Sequence, residues 1–119
     1  MSGEQRFPRS VRIRSGSEIR RLHRRGRRHR RGALDLFIAS AGAARPRVGV
    51  VVPRFGRRGV ERNLVRRRIR EILRRDWLPR ADSDAAPIDV LVRACPGAYD
   101  LSFRDLRATL LSGLREGVC

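Results

Sequence analysis

Six polar residues in one short stretch are the part of this sequence most suited to chemistry. They are Arg62, Asn63, Arg66, Arg67, Arg70 and Arg74. A guanidinium group is a planar fork of donors that can hold a phosphate through two parallel hydrogen bonds. At about 100° per residue, all but Arg62 fall on one side of a helix. Arg62 lies nearer the apolar edge, where it could brace the helix instead of binding a phosphate. The spacing predicts a helical surface that binds phosphate groups.

The same helix carries almost no acidic compensation on that side. Only Glu71 lies nearby, and each like-charge pair four residues apart costs a few tenths of a kcal/mol. A charge run can be a solvated face. Helices that only face water, however, usually intersperse glutamate with arginine. The pattern therefore favours contact with nucleic acid over a solvated face.

The overall charge agrees with a polyanionic partner. The 119 residues have a formal net charge of +17, and all 29 basic residues are arginine. Residues 1–75 hold 24 of these arginines and only 5 acidic residues. A chain with this charge repels itself when it folds, and nucleic acid relieves that repulsion.

Other kinds of site find little support. No Ser/His/Asp set, paired carboxylates or glycine-rich phosphate loop is present, so a self-sufficient protein enzyme is not expected. His23 and His29 lack a third metal ligand, and two cysteines are too few for a zinc site or a disulfide framework. Cys95 is interpreted as a small buried residue. Residues 1–17 lack the apolar segment of a secretory signal, and no run could span a membrane. We expect a cytoplasmic protein with reduced thiols.

Hydrophobic periodicity and turn residues divide the chain into helices and strands. Predicted helices run from Ser15 or Ser17 to Gly26, from 57 to 78 with Pro79 as the stop, and from 101 to 116. Predicted strands are 33–39, 48–52 and 88–92. The basic run 24–31 is predicted as an exposed connection or a disordered loop, and 80–87 as a loop. The apolar face of the long helix is predicted to contain Val60, Leu64, Val65, Ile69, Ile72 and Leu73, with Trp77 as a cap on the core.

A helix between two strands predicts an α/β (α+β) two-layer sandwich. We expect a mixed four-stranded sheet and about three helices, in the order α-β-β-β-α-β-α. The length predicts a single domain over 1–119, and its charge suits nucleic acid. Its residues 1–12 would form an irregular arm that can add a short strand, and 117–119 would form a tail.

Two motifs stand at a fixed spacing in the middle of the chain. Arg47-Val48-Gly49 opens an apolar strand, and fifteen residues after Arg47 begins Arg62-Asn63-Leu64-Val65-Arg66-Arg67-Arg68-Ile69-Arg70-Glu71. Phe7-Pro8-Arg9 and Leu101-Ser102-Phe103 flank them. Together these segments resemble the bacterial ribonuclease P protein family, from about Phe7 to Leu114.

The resemblance implies a fold with a left-handed βαβ crossover and a role in tRNA maturation. In that family the RNA subunit carries out the chemistry, a magnesium-dependent hydrolysis that removes the 5′ leader of precursor tRNA. The Mg²⁺ would be held mainly by the RNA. The protein would bind the catalytic RNA and precursor tRNA, with no obligate protein partner. By resemblance, the residues that meet the catalytic RNA are Arg62, Asn63, Arg66, Arg67, Arg70 and Arg74.

The resemblance also implies a cleft for the leader, where this sequence departs from the family. The cleft residues would be Ile19, His23, Val51, Arg54 and Phe55. The family often has two aromatic residues where this chain has Ile19 and His23, and a basic residue where it has Phe55. Phe55 either restores base stacking or fills the core beneath its loop. Leu64 replaces a family arginine and is predicted to join the core.

Two other readings stay open. A structural RNA-binding or ribosome-associated protein with the same fold would also bind RNA in a salt-dependent way. A DNA-binding protein could place the arginine helix in a groove, although no helix-turn-helix spacing is present. Rescue of tRNA 5′ processing by a cognate catalytic RNA is expected only of a ribonuclease P subunit, so it separates that function from these two.

Overall fold

The computed structural model describes residues 12–13, 15–40, 46–83 and 87–118. Its helices are α1 (Gly16–Arg25), α2 (Gly59–Ile72), α3 (Leu78–Ser83) and α4 (Phe103–Val118). Its strands are β1 (Arg27–Arg31), β2 (Leu34–Ser40), β3 (Arg47–Val51) and β4 (Ile88–Ala94). A π turn at Leu73–Trp77 joins α2 to the short α3, and a 3-10 turn at Pro96–Asp100 precedes α4. The predicted order is confirmed, with the short α3 as an additional helix between α2 and β4. Predictions for 1–11, 14, 41–45, 84–86 and 119 lie outside the described residues.

The described residues form a mixed sheet of four strands in the order β1-β2-β4-β3. β4 runs antiparallel to β2 and parallel to β3, so α2 lies in the crossover between the two parallel strands. The backbone N–H of Ile13 donates to the Val48 carbonyl at 2.8 Å, and Arg12 forms a parallel bridge with Val48. The predicted extra strand is therefore a single bridge among the described residues.

The main core lies between the sheet and the helices α2 and α4. It is almost entirely aliphatic, as the low aromatic content requires. Alternate residues of the central strands meet Val65, Ile69 and Ile72 of α2 and three leucines of α4; the fully buried members include Leu34, Leu36, Ile69, Ile72, Leu106, Leu110, Leu114, Val90 and Val92. This packing fixes the inner side of α2 and leaves its other side for a partner.

The opposite face of the sheet is covered in part by α1. Phe37 of β2 and Leu91 of β4 pack there against Leu22 and Ile13. Ile19 and Val51 flank this smaller cluster and are only partly buried. The short α1 therefore leaves a groove beside it on the sheet.

The basic run after α1 is a strand, so its prediction as a connection or disordered loop is wrong. Residues 27–31 are largely exposed, yet they pair in register with β2. Arg28 donates to the buried Asp35 carboxylate at 3.2 Å, and Arg31 lies 3.2 Å from Glu116 of α4. The carboxylates of Asp35 and Glu116 offset part of the positive charge of this run, which local sequence cannot show to be paired. The charges also block edge-to-edge association at this outer strand.

Val60 and Leu64 lie outside the core, contrary to their predicted place on the apolar face. Val60 is 64% exposed and Leu64 is 37% exposed. Measured around the helix from the buried centre formed by Val65 and Ile69, Leu64 lies at roughly 120° and Val60 at roughly 160°. The predicted apolar face was therefore too broad, because it combined residues that are buried against the sheet with two that are exposed.

Pro79 does not stop the long helix. The Leu78 N–H donates to the Leu73 carbonyl across the π turn, and α3 begins at Leu78. Pro79 is thus the second residue of a new helix, where a missing N–H removes no necessary hydrogen bond. The predicted loop is wrong for 80–83, which are helical.

Candidate RNA interface

One side of α2 presents polar residues away from the core. Asn63, Arg67 and Arg70 are exposed, and Arg66 is half-buried. We call these four residues the α2 arginine face. Buried Val65 and Ile69 hold the other side of the helix against the sheet. The backbone N–H of Arg58 donates to Glu61 at 3.1 Å and closes the start of the helix.

Two of the predicted RNA-binding arginines have partners within the protein. Arg62 donates from Nε to the Val52 carbonyl at 2.7 Å, so it braces α2 against the end of β3, as its place near the apolar edge suggested. Arg74 lies in the π turn and forms a hydrogen bond with Glu71 at 2.5 Å. The structure therefore places Arg62 and Arg74 at the margins of the α2 arginine face.

The centre of this face is a cluster of positive charges. Burial lowers the pKa of Arg66, and the neighbouring Arg62 lowers it further. Burial likewise lowers the pKa of Arg70, with added repulsion from Arg66 and Arg12. Arg66 donates to the Asn63 side-chain oxygen at 3.0 Å. Among the described residues no carboxylate pairs with Arg66 or Arg70, so the cluster is electrostatically prepared for an anion.

A groove of about 230 Å³ lies on the other side of the β3 edge, between α1 and the sheet. We call it the α1 groove. Its lining comprises Ile19, Arg20, His23, Arg24, Val51, Leu91 and Arg93. Ile19, Val51 and Leu91 are apolar, and three arginines surround them. The three predicted cleft residues Ile19, His23 and Val51 are thus brought together.

His23 holds a defined position in the α1 groove. Its ring is exposed, and its centroid lies 4.7 Å from that of Phe37, with the rings tilted by 40°. Phe37 is buried in the sheet beneath it. This contact orients the imidazole as a flat surface next to the groove. A planar ring in this position can stack on a nucleobase.

Arg54 and Phe55 lie in the loop after β3 and do not line the α1 groove. Phe55 is 43% exposed, so its alternative role as a plug in the core is excluded. Its backbone is left-handed, with φ of 49°. The ring meets Tyr99 edge-on at 6.5 Å, and the Tyr99 hydroxyl donates to the Pro53 carbonyl at 2.7 Å. The 3-10 turn therefore supports this loop and holds an exposed aromatic ring beside the end of β3.

Four arginines of the two surfaces were not predicted as site residues. Arg20 and Arg24 lie one turn apart on α1, and Arg93 lies two residues after Leu91 on β4. The four-residue spacing on a helix and the two-residue spacing on a strand are both visible in the sequence, so these three arginines could have been predicted as neighbours of the groove. Arg12 is different, because only the fold carries it to Arg70. Its Nε atom is buried and has no hydrogen-bond partner among the described residues.

The environment of Cys95 and the placement of the possible metal ligands bear on other chemistry in the described part of the chain. Burial raises the pKa of the Cys95 thiol, and the adjacent Asp35 carboxylate raises it further, so this buried thiol is unsuited to be a nucleophile. No group of three or more His, Cys, Asp or Glu in the described ranges could hold a metal ion, so these residues do not fit a protein-held magnesium site. No helix in those ranges is long and apolar enough to cross a membrane.

Comparisons with known proteins give one consistent result. A family model for ribonuclease P matches residues 7–116. The ribonuclease P protein component of Syntrophobacter fumaroxidans is 34% identical, covering 94% of this chain and 92% of its own length. That of Rhodococcus opacus is 36% identical, covering 91% and 89%.

Solved structures agree at the level of the fold. The RNase P protein of Staphylococcus aureus matches 89% of this chain and 94% of its own with a TM-score of 0.76 and 20% identity. The RNase P protein of Thermotoga maritima matches 88% and 96% with a TM-score of 0.74 and 22% identity. The predicted family is therefore confirmed: this chain belongs to the ribonuclease P protein family.

Proposed function

We propose that this chain serves as the protein subunit of ribonuclease P through two surfaces on either side of the β3 edge. The α2 arginine face binds the catalytic RNA, and the α1 groove receives the 5′ leader of precursor tRNA. The observation that carries the proposal is the cluster of positive charge at Arg66, Arg70 and Arg12, which no carboxylate in the described ranges pairs with. Such a cluster repels itself in the free protein and is relieved when phosphates bind.

The α2 arginine face suits a folded RNA whose phosphates lie in fixed positions. Its arginines project from a helix that Val65, Ile69 and Arg62 hold rigidly against the sheet. Rigid donors bind with a smaller entropic cost than donors on a loop. Asn63 adds a group that both donates and accepts. Arg74 is proposed as a contact at the margin of this face.

The α1 groove suits an unpaired strand. Its apolar floor can take bases, while Arg20, Arg24 and Arg93 can reach the phosphates between them. Stacking on a ring and contact with phosphates tolerate any sequence, as recognition of variable leaders requires. Arg54 and Phe55 would then meet the strand where it leaves the groove past the end of β3.

The protein's part in the reaction is proposed to be binding and positioning. The described residues of this chain form no suitable Mg²⁺ site. The RNA subunit would therefore hold the Mg²⁺ and carry out the hydrolysis. The chain would act in the cytoplasm on precursor tRNA, with the catalytic RNA as its partner and no obligate protein partner. It is therefore an enzyme subunit that is not itself catalytic.

A binding experiment on the assembled ribonucleoprotein tests the role of the α1 groove. Under conditions that block cleavage, the affinity for precursor tRNA is compared with that for mature tRNA. His23→Ala should weaken precursor binding about tenfold, from lost stacking of about 1–3 kcal/mol, and leave mature tRNA binding unchanged. Arg104→Gln, on the exposed side of α4, is the matched surface control. Equal losses for both tRNAs would contradict a leader site.

Phe55→Ala tests the stacking hypothesis in the same assay. A loss confined to precursor tRNA would support contact between the leader and the exposed ring. An unchanged leader affinity would rule out stacking by Phe55. The proposed binding of the leader in the α1 groove would then depend on groove residues such as His23 and Arg93, without a contribution from Phe55.

A further inference from the structure

Two aliphatic side chains are exposed within the polar side of α2. Val60 is 64% exposed and Leu64 is 37% exposed. They lie four residues apart, so they are neighbours on the surface of the helix. A single exposed aliphatic residue is common on proteins and needs no explanation. Two adjacent ones on a side that otherwise carries polar residues do need one.

These two residues are contiguous with the α2 arginine face. Four exposed residues of α2 follow the spacing i, i+3, i+4 and i+7, which forms one continuous patch on a helix; they are Val60, Asn63, Leu64 and Arg67. We call them the Val60 patch. At about 100° per residue, Val60 lies only about 20° from Arg67 around the helix. The aliphatic half of the patch therefore belongs to the surface that is proposed to meet the catalytic RNA.

The fold of the protein does not account for the aliphatic half. Neither Val60 nor Leu64 belongs to the two apolar clusters formed by the described residues. Valine is also a weaker helix former than arginine or alanine, so helix propensity does not explain Val60. The exposed apolar surface of both side chains is thus available for a contact outside the chain.

The polar half of the Val60 patch indicates the kind of ligand. The guanidinium of Arg67 can hold a phosphate. The side-chain oxygen of Asn63 accepts a hydrogen bond from Arg66 at 3.0 Å, so its NH₂ group is left to donate to an acceptor on a base edge. Val60 and Leu64 are next to these groups and can pack against the apolar face of the same base. Unpaired RNA bases are recognised by such a combination of face packing and edge hydrogen bonds.

The size of the aliphatic half favours a nucleotide over a protein partner. A standard protein interface covers roughly 800 Å² on each partner. Val60 and Leu64 together offer much less apolar surface than that, because both are partly covered by their own helix. A single base, in contrast, is comparable in size to two adjacent aliphatic side chains.

We propose that the Val60 patch binds one unpaired base of the catalytic RNA, with the base face on Val60 and Leu64 and the base edge at Asn63. Arg67 holds an adjacent phosphate. This inference rests on the proposed function, since it specifies how the α2 arginine face meets the RNA. The apolar contact adds affinity that salt does not screen, unlike the contacts between arginines and phosphates.

Salt dependence separates the apolar contact from the phosphate contacts. Binding of the full-length protein to a bacterial ribonuclease P RNA is measured over a range of salt concentrations. The double variant Val60→Thr/Leu64→Gln nearly keeps the size and helix propensity of both side chains but makes them polar. We expect its affinity to fall about tenfold, or about 1.4 kcal/mol, with an unchanged slope of log affinity against log salt. Arg67→Gln should instead lower that slope by about 0.9.

A chemical probe of the RNA identifies the contact itself. The wild-type protein should protect at least one unpaired base from a reagent that modifies base edges. With Val60→Thr/Leu64→Gln this base should become reactive, while the RNA backbone protected by the α2 arginine face should stay protected. A purely structural role of Val60 and Leu64 within the protein would not produce this pattern.

Controls separate loss of the contact from loss of the fold. Val118→Thr is the matched control, because Val118 is 43% exposed at the C-terminal end of α4. It should leave RNA affinity within about twofold. Thermal unfolding checks the stability of Val60→Thr/Leu64→Gln. If the double variant is less stable than the wild type, Val60→Thr alone is used, since Val60 is the more exposed of the two positions.

The proposal would be overturned by an unchanged RNA affinity of the folded variant while the wild-type protein binds the RNA tightly. That result would leave the proposed function intact and favour a protein partner at the Val60 patch. A loss of affinity with a lower salt slope and no newly reactive base would also overturn it, because the arginine contacts would then have been disturbed. Failure of the wild-type protein to bind the RNA would contradict both this inference and the proposed function.

Discussion

Replacing Arg70 with glutamine should change RNA affinity and protein stability in opposite directions. Arg70 is exposed on the α2 arginine face and is repelled by Arg66 and Arg12. Glutamine removes the charge and keeps almost the same helix propensity. The variant therefore isolates the charge of a single side chain in a helix whose backbone stays unchanged.

The expected magnitudes follow from these contacts. Loss of one charge-assisted contact should cost about 1.5–3 kcal/mol of binding, or roughly 10- to 100-fold in affinity. The slope of log affinity against log salt should fall by about 0.9. Relief of the repulsion from Arg66, four residues away, and from Arg12 should stabilise the free protein by about 0.5 kcal/mol. The melting temperature should then rise by about 2 °C.

The assay combines binding to a bacterial catalytic RNA over a range of salt concentrations with thermal unfolding followed by circular dichroism. Arg68→Gln is the matched control, because Arg68 lies on the same helix about 160° away from Arg70. It should leave RNA affinity within about twofold. Two results would refute the view that the Arg70 charge destabilises the free protein and contributes to RNA binding. They are a fall of more than about 1 kcal/mol in the free energy of unfolding of Arg70→Gln, or an unchanged RNA affinity.

Three further predictions concern the scaffold that positions these surfaces. Asp89→Asn should lower the free energy of unfolding in urea by about 2–3 kcal/mol, because Asp89 holds the largely buried Arg47 through bonds of 2.9 and 3.1 Å; a loss below about 0.5 kcal/mol would show that this pair contributes little. Gly117→Ala should lower the free energy of unfolding in urea by about 1–3 kcal/mol, because a Cβ there would lie 2.8 Å from the Ile38 side chain. A variant as stable as the wild type would contradict that contact. With the C-terminal cysteine replaced by serine, Cys95 should react with a thiol reagent only after denaturant is added, because burial raises its pKa; rapid labelling of the folded protein would show that the thiol is accessible.

The sequence predicted the features that depend on short-range periodicity. The apolar run of β4 is near-continuous, as a buried strand requires, and the spacing of Val65, Ile69 and Ile72 places one side of α2 in the core. The position of Arg62 near the apolar edge also indicated a brace. Each of these inferences needs only the geometry of a single helix or strand.

Features that depend on distant partners could not be predicted in the same way. The strand β1 is a run of four arginines and a histidine, and its partners Asp35 and Glu116 lie on separate elements. Arg12 reaches Arg70 only because the residues before α1 pair with β3. The exposure of Leu64 likewise follows from how far α2 is rotated on the sheet, which no local pattern determines.

Reconstitution tests the central claim most directly. The purified protein is combined with a bacterial ribonuclease P RNA and end-labelled precursor tRNA at a magnesium concentration where the RNA alone cleaves poorly. We expect accurate removal of the 5′ leader only when both components are present, and a weaker effect with Arg66→Gln/Arg70→Gln. Tight RNA binding by the wild-type protein without any gain in 5′ cleavage would contradict the proposed function and favour a structural RNA-binding role.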